Sequence, residues 1–406
     1  MRIPLATSGL REVDIALAID TLNSGNLTMG SQVKQFEKDI AQYLGVKHFV
    51  MMNSGSSANL AMIEALLRPA KGKPKLNSGD QVLVPAIAWP TTIWPIIQLG
   101  LDPIFVDVTP STLALDLNCA QELIDKLDRK VSGIFPIHPL GYAIAPNELE
   151  KFSAKNDLVL INDVCESLGS WREGKHAGTS GVAGSFSFYF SHHITTMEGG
   201  GVASNDSDFV DDLRSIRSHG WSRDRSDVAE WHAGVSNNDA KFLFVSTGYN
   251  VRPMEIQAAI GISQIRDIDT FIVKRRAIAK AVFEAIKGTN IALIGAENLL
   301  EESDQKGHSW MLLPLRVMGA DAVKKKKMIV KALEDLEIET RPVLTGNFLA
   351  QPAIKAIGHI SQKPEDFPVA TMITETAFMV GAHHDLTGEQ IAFLCDALNK
   401  AATEFA

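Results

Sequence analysis

Cysteine is scarce in this chain of 406 residues: Cys119, Cys165 and Cys395 are its only three, and they are widely separated. Thiols so dispersed supply neither a disulfide framework nor the close ligand spacing of a zinc ribbon or a cysteine-bound iron–sulfur cluster. Positive charge is also short. The 39 Lys and Arg residues against 48 Asp and Glu leave a formal charge of −9, which provides no basic footprint for nucleic acid or for an anionic membrane surface. The run Lys324–Lys327 reads as a solvated helix face. No apolar run is long enough to span a bilayer, and the opening MRIPLATSGLREVDIALAI lacks a basic segment followed by an apolar one; a cytoplasmic location is expected. Internal repeats and low-complexity tracts are absent as well.

What is present is alternation. Short apolar runs at HFVMMNS (48–54), DQVLVPA (80–86), DPIFVDV (102–108), KVSGIFPIH (130–138) and DLVLIND (157–163) predict buried strands. Between them SSANLAMIEALL, TTIWPIIQLG, CAQELIDKLD and APNELEKFSAKN carry helical spacing. Strand and helix in turn predict an α/β fold with a mostly parallel sheet covered on both faces. GSFSFYF and GGVASN add two strands around a pair of histidines, His192 and His193. A long helical pattern from Gly248 to Gly288 then leads to a smaller part containing HSWMLLPLRV. The division is expected near residue 265, giving a large domain at 1–265 and a small α+β domain at 266–406.

Three segments have the chemistry to hold an anionic ring compound. NSGSSANL (Asn53–Leu60) lies between a strand end and a helix start, where backbone amides at Gly55 and the hydroxyls of Ser56 and Ser57 can approach a phosphate. The same residues also suit a plain N-cap and glycine turn. Asp163 in INDVCES ends an apolar strand, the edge at which open α/β sheets bind ligands. Its carboxylate can pair with a protonated ring nitrogen or simply cap a helix. Trp89 in VPAIAWPTTIWP can stack on a planar ring, or anchor a core or an interface.

In their order along the chain these segments resemble the DegT/DnrJ/EryC1/StrS family of sugar aminotransferases, which have the fold-type I architecture of pyridoxal-phosphate enzymes. The resemblance runs from GNLTMGSQVKQFEKDIAQYLGVKHFV through GSSANLAM, GDQVLVPAIAWPTT, PIFVDV, GSFSFYFS, EGGGVASND and RSHGW to GYNVRPMEIQAAIG and RPVLTGNF. Two departures stand out. Asn162 occupies a position where the family commonly has an acidic residue, and His192 stands where most members carry the lysine that binds the cofactor covalently. Imidazole has no primary amine with which to make that bond, yet it can still exchange protons near neutrality. SHHITTMEGG, HGWSR, GYNVRP and RPVLTGNFL are similar to the subfamily of 3-dehydratases acting on GDP-4-keto-6-deoxy-D-mannose, which form the 3-deoxy precursor of colitose.

The resemblance implies a set of roles. Pyridoxal 5′-phosphate would cycle with pyridoxamine 5′-phosphate, with glutamate as amino donor, and His192 would move the proton that accompanies loss of the sugar's C3 hydroxyl; ammonia is then released. Gly55, Ser56 and Ser187 would hold the phosphate, Asp163 the pyridine nitrogen, Trp89 one ring face, and Glu166 the cofactor or substrate. Asn250 would reach the phosphate from the second subunit of a homodimer. His219 and Arg341 are candidates for sugar or diphosphate contacts, and His193 for a structural role. The competing readings are an ordinary nucleotide-sugar aminotransferase and a non-catalytic sugar-nucleotide-binding paralogue. The first lacks its lysine here. The second would be expected to have lost Asp163, Ser187 or the phosphate loop, and all remain.

Overall fold

Seven strands form the main sheet: β1 (His48–Met52), β2 (Gln81–Pro85), β3 (Asp102–Val106), β4 (Val131–Ile134), β5 (Val159–Asp163), and, after a two-stranded ribbon β6 (Trp171–Arg172) and β7 (Lys175–His176), β8 (Ala183–Ser187) and β9 (Gly200–Ser204). The computed structural model describes residues 1–297 and 307–405. The strand order is β1-β9-β8-β5-β4-β2-β3. β3, β2, β4, β5 and β8 pair in parallel, whereas β9 runs against both β8 and β1. Every residue of β2, β8 and β9 is buried, as continuous apolar or small-residue runs require of strands covered on both faces.

The connecting helices begin where the sequence supplies a cap. Ser54 accepts from the amide of Ser57 at 3.1 Å to start the helix Gly55–Leu67. Asp116 accepts from Asn118 and Cys119 ahead of Leu117–Lys126, and Asp206 from Phe209 ahead of Ser207–Arg217. Pro90 and Pro146 occupy first-turn positions of their helices, where no intrahelical amide bond is lost. The long pattern that reads as one helix is two, Glu255–Arg266 and Ile268–Ile286. The break is at Asp267, which leaves helical dihedral angles and pairs with Arg11. Neither glycine nor proline stands at the break.

A second, antiparallel sheet orders β10 (Ile291–Leu293), β11 (Leu312–Val317) and β12 (Ala377–Gly381) as β10-β11-β12. Its core of Leu313, Leu315 and Val380 meets Ile278 and Val282 on one helix and Leu394 and Leu398 on the C-terminal helix Gly388–Glu404. The C-terminal part also returns to the main sheet: Phe348 packs against Trp94 and Phe105, with ring centroids 5.3 and 6.2 Å away. A cleft results at the C-terminal ends of β5 and β8, closed on its far side by Met311, Leu312 and Met379. The lysine run lies on the helix Ala322–Asp335, where Lys324 and Lys327 are exposed and Lys326 donates to the carbonyl of Thr374. No helix among the described residues is long and apolar enough to cross a membrane.

Candidate active site

The cleft encloses a cavity of about 290 Å³. One wall is the first turn of the helix Gly55–Leu67. Its first intrahelical bond runs from Ala58 to the carbonyl of Ser54, so the amides of Gly55 and Ser56 precede the ladder and point to the cavity end of the helix dipole. Gly55 is required by space: a Cβ there would lie 2.6 Å from Cβ of Ser187 and 3.1 Å from Sγ of Cys165. Gly200 does the same from β9, where a Cβ would meet the Gly55 nitrogen at 2.4 Å. The glycine triplet after the two histidines thus serves close packing, letting the helix terminus sit against the ends of β8 and β9. Gly55→Ala is expected to cost about 1–3 kcal/mol of stability by overpacking, read as a lower urea midpoint; an unchanged midpoint would show that Ser187 can yield. The Ser57 hydroxyl is engaged in the cap by Ser54, 3.0 Å away, and does not line the cavity.

Asp163 sits at the floor. Its Oδ2 accepts from Asn59 Nδ2 at 2.9 Å and from Thr92 Oγ1 at 2.7 Å, and its Oδ1 from the amide of Cys165 at 3.0 Å. The carboxylate is 4% exposed and, among the described residues, has three neutral donors and no Lys or Arg partner. The three bonds fix the carboxyl group in place at the cavity wall. Asn59 and Thr92 were not singled out by the sequence, although Asn59 falls one turn after Gly55 on the buried helix face.

The neighbouring Asn162 explains the first departure from the family pattern. Its amide donates to the carbonyl of Ser180 at 2.9 Å and its Oδ1 lies 3.1 Å from His138 Nε2. Because His138 Nδ1 accepts from the amide of Ile144 at 3.1 Å, Nε2 carries the hydrogen. A carboxylate at position 162 could take the second bond but not make the first. Burial pushes His138 down to about 4.

His192 follows β8 on the excursion that returns as β9. The loop closes on itself through Phe188 to Gly199, Thr196 to Phe188 and His192 to Tyr189 backbone bonds, each 2.9 Å. The ring lines the cavity, with Nδ1 3.3 Å from the carbonyl of Ser187. A carbonyl only accepts, so Nδ1 holds the hydrogen and Nε2 keeps its lone pair. Burial lowers the imidazole to about 4, against a smaller opposing pull from Asp163; it is neutral, hence a base, at pH 7. Glu166 is moved the other way, to about 8, by burial first and by the charge of Asp163. It therefore retains its proton at neutral pH, while Oε2 accepts from the amide of Leu140 at 3.0 Å.

Trp89, 49% exposed, forms the rim with the exposed Arg341. Ser187 lines the cavity beside Gly55, its Oγ accepting from the amide of Tyr189 at 3.3 Å. Tyr189, Ser191 and Glu198 also face the cavity; nothing in their local sequence marks them. No lysine is among the lining residues described. His193 points away, 1% exposed with neither ring nitrogen hydrogen-bonded. His219 and Asn250 are not in this cavity: both are exposed and adjacent on the surface, where His219 donates its amide to the carbonyl of Tyr249 at 2.8 Å and Ser218 bridges Asn250.

Residues 9–399 match the DegT/DnrJ/EryC1/StrS aminotransferase family. The chain belongs to that family. Family members similar to it include the GDP-4-keto-6-deoxy-D-mannose 3-dehydratases of Yersinia pseudotuberculosis, 35% identical over 98% of this chain and 99% of that protein, and of Escherichia coli O55:H7, 34% identical over 97% and 99%. Among solved structures, a variant of GDP-4-keto-6-deoxymannose-3-dehydratase with bound GDP-perosamine superposes with a TM-score of 0.88 at 32% identity, covering 98% of this chain and all of that one. The same enzyme with a trapped PLP–glutamate geminal diamine gives a TM-score of 0.85 at 32% identity over 98% of this chain and 100% of that one. The main sheet, with a single antiparallel strand, is the aminotransferase-like fold expected of the family.

Burial of neutral histidines has a consequence for acid stability. His138 and His192 are held near 4 and His176 near 3 by desolvation, while the unfolded chain takes up protons near 6.5. Depressed folded values mean that stability is complete above about 6.5 and is lost as pH falls toward 4. Each such group contributes a slope of up to about 1.4 kcal/mol per pH unit. The denaturant midpoint should therefore be clearly lower at pH 5 than at pH 7; equal midpoints would contradict these burials.

Proposed function

We propose that the protein removes the C3 hydroxyl from a nucleotide-linked 4-keto-6-deoxy sugar, GDP-4-keto-6-deoxy-D-mannose being the substrate its relatives point to. Glutamate is the amino donor and ammonia the by-product. The observation that carries this reading is His192, whose imidazole lines a cavity together with Gly55, Ser56, Asp163 and Ser187 and with no lysine among the described lining residues. The residues fit pyridoxal phosphate: amides of Gly55 and Ser56 with the Ser187 hydroxyl suit its phosphate, and the carboxyl of Asp163, braced by three neutral donors, suits its ring N–H. Trp89 would cover a ring face. Bound there, the coenzyme supplies an electron sink and an exchangeable amino group.

The chain's own contribution is proton control. His192 Nε2 accepts a proton and, as imidazolium in a site that disfavours its charge, returns it readily to the departing C3 hydroxyl. Glu166 offers a hydrogen-bond donor because it stays protonated. Arg341 at the rim has the fork suited to a diphosphate. Net, the sugar's C3 hydroxyl leaves as water, a water oxygen becomes the keto oxygen of 2-oxoglutarate, and the amino group of glutamate leaves as ammonia; atoms and electrons balance.

Asn250 and His219 would act in the cavity of a second copy, making the working enzyme a homodimer of chains each divided into a large part, 1–265, and a small part, 266–406. Exposed aromatic surface beside them supports this: Phe242 is 70% and Phe244 52% exposed, with Trp221 stacked on Phe242 at 5.6 Å. The test is to incubate the protein with pyridoxal phosphate, glutamate and a panel of 4-keto-6-deoxy sugar nucleotides. A product lighter by one oxygen atom, with ammonia and 2-oxoglutarate, supports the reading. A stable amino sugar marks an aminotransferase instead, and binding without turnover marks a non-catalytic protein.

A further inference from the structure

We infer that Arg275 is a positioning residue for His192, fixing the loop that carries the imidazole to the seam between the two sheets. Arg275 lies on the helix Ile268–Ile286, 2% exposed. Its guanidinium Nη1 donates to the carbonyls of Met311 at 2.9 Å and of Trp310 and Ala382 at 3.3 Å, and Nη2 to the carbonyl of His192 at 3.4 Å. These acceptors come from the entry to β11, the exit of β12 and the catalytic loop. The first two are already joined by the β11–β12 ladder; Arg275 adds the tie from that sheet edge to the backbone of His192. Nε has no partner, and no carboxylate stands within ion-pair distance among the described residues; Asp385 acts only from farther away.

A buried cation satisfied by carbonyls alone is a costly cross-link, since an apolar side chain of similar volume is often as stable. The geometry gives it two effects that an apolar residue lacks. The planar fork fixes a carbonyl of the very residue whose Nε2 must meet substrate, and the charge lies beneath an imidazole whose protonated form it opposes. The other groups around that ring are Asp163 at the end of β5, Glu166 after it, Glu198 before β9, Arg341 at the rim, and His193 beside it. Arg275 alone of these contacts the His192 backbone. The remaining buried histidines at the seam, His308, His383 and His384, face Arg276 or Arg275 and do not line the cavity.

The inference rests on the dehydratase reading for its kinetic effect, but one readout does not. Protein labelled at histidine 13Cε1 is titrated by NMR, with the His192 signal assigned from its loss in His192→Asn. In Arg275→Met the His192 midpoint should move upward, whereas Arg275→Lys, which keeps the charge, should leave it in place. Both variants should lose about 10²-fold in kcat with KM nearly unchanged, as misplacement of a catalytic group does. A merely structural role would lower the melting temperature without moving the titration. An unmoved His192 midpoint in Arg275→Met, or parental kcat in Arg275→Lys, overturns the inference; if the Met variant does not fold, the kcat of the Lys variant decides. A shifted titration in a protein that never turns over sugar would leave Arg275 in place and remove the dehydratase reading instead.

Discussion

His192→Lys is expected to abolish dehydration and to create a covalent, borohydride-reducible link between the protein and pyridoxal phosphate. Two effects add. The variant places a primary amine where the parent offers an imidazole facing the cavity, so the coenzyme becomes tethered and absorbs in the visible. It also removes Nε2, whose proton is fixed on the other nitrogen by the Ser187 carbonyl. General acid–base assistance of this kind is worth about 10²- to 10⁴-fold, and loss of kcat in that range is the expected outcome. Dehydration at the parental rate would show that another group moves the proton; Glu166, holding its own proton at neutral pH, would then be the candidate.

Asp163→Asn is expected to have the next largest effect, through both binding and folding. Three donors converge on the carboxylate: Asn59, Thr92 and the Cys165 amide. An asparagine can turn its oxygen toward Asn59 and Thr92 only by turning its own N–H₂ toward the Cys165 N–H. One buried donor then faces another, at a cost of about 1–3 kcal/mol. The same substitution removes the anion that would keep the ring nitrogen protonated. The variant should thus melt earlier, bind pyridoxal phosphate more weakly and lose rate with both glutamate and sugar. Thr92→Val separates the two effects, because it removes a donor while leaving the charge. Unaltered affinity and rate in Asp163→Asn would take Asp163 out of the site.

Much of this was legible without coordinates because the relevant signals are local. Apolar runs without alternation mark strands buried on both faces; β1 to β5 and β9 fall within the runs read for them, and β8 overlaps its run, starting one residue earlier at Ala183 and ending three residues short of it at Ser187. The segment Asn53–Leu60 and Asp163 announce themselves by standing at a strand end before a helix or turn. The histidine at position 192 is visible because the segments around it resemble a family that has lysine there. By contrast the break at Asp267 has no glycine or proline to announce it, and the partner its side chain meets there, Arg11, is more than 250 residues away in the chain. The role of the glycine triplet was equally hidden, since Gly200 is required by the backbone of Gly55 across the sheet.

The sequence by itself therefore determined the alternating α/β architecture, the absence of the tethering amine and the identity of the groups able to replace it, because propensity, periodicity and functional-group chemistry belong to residues and their near neighbours. Only the tertiary structure decided which nitrogen of His192 is basic, that Glu166 holds a proton, that Asn59 and Thr92 brace Asp163, and that His219 and Asn250 stand outside their own chain's cavity. Those properties are set by burial and by hydrogen bonds between residues remote in sequence, and they exist only once the sheets have closed around the cleft.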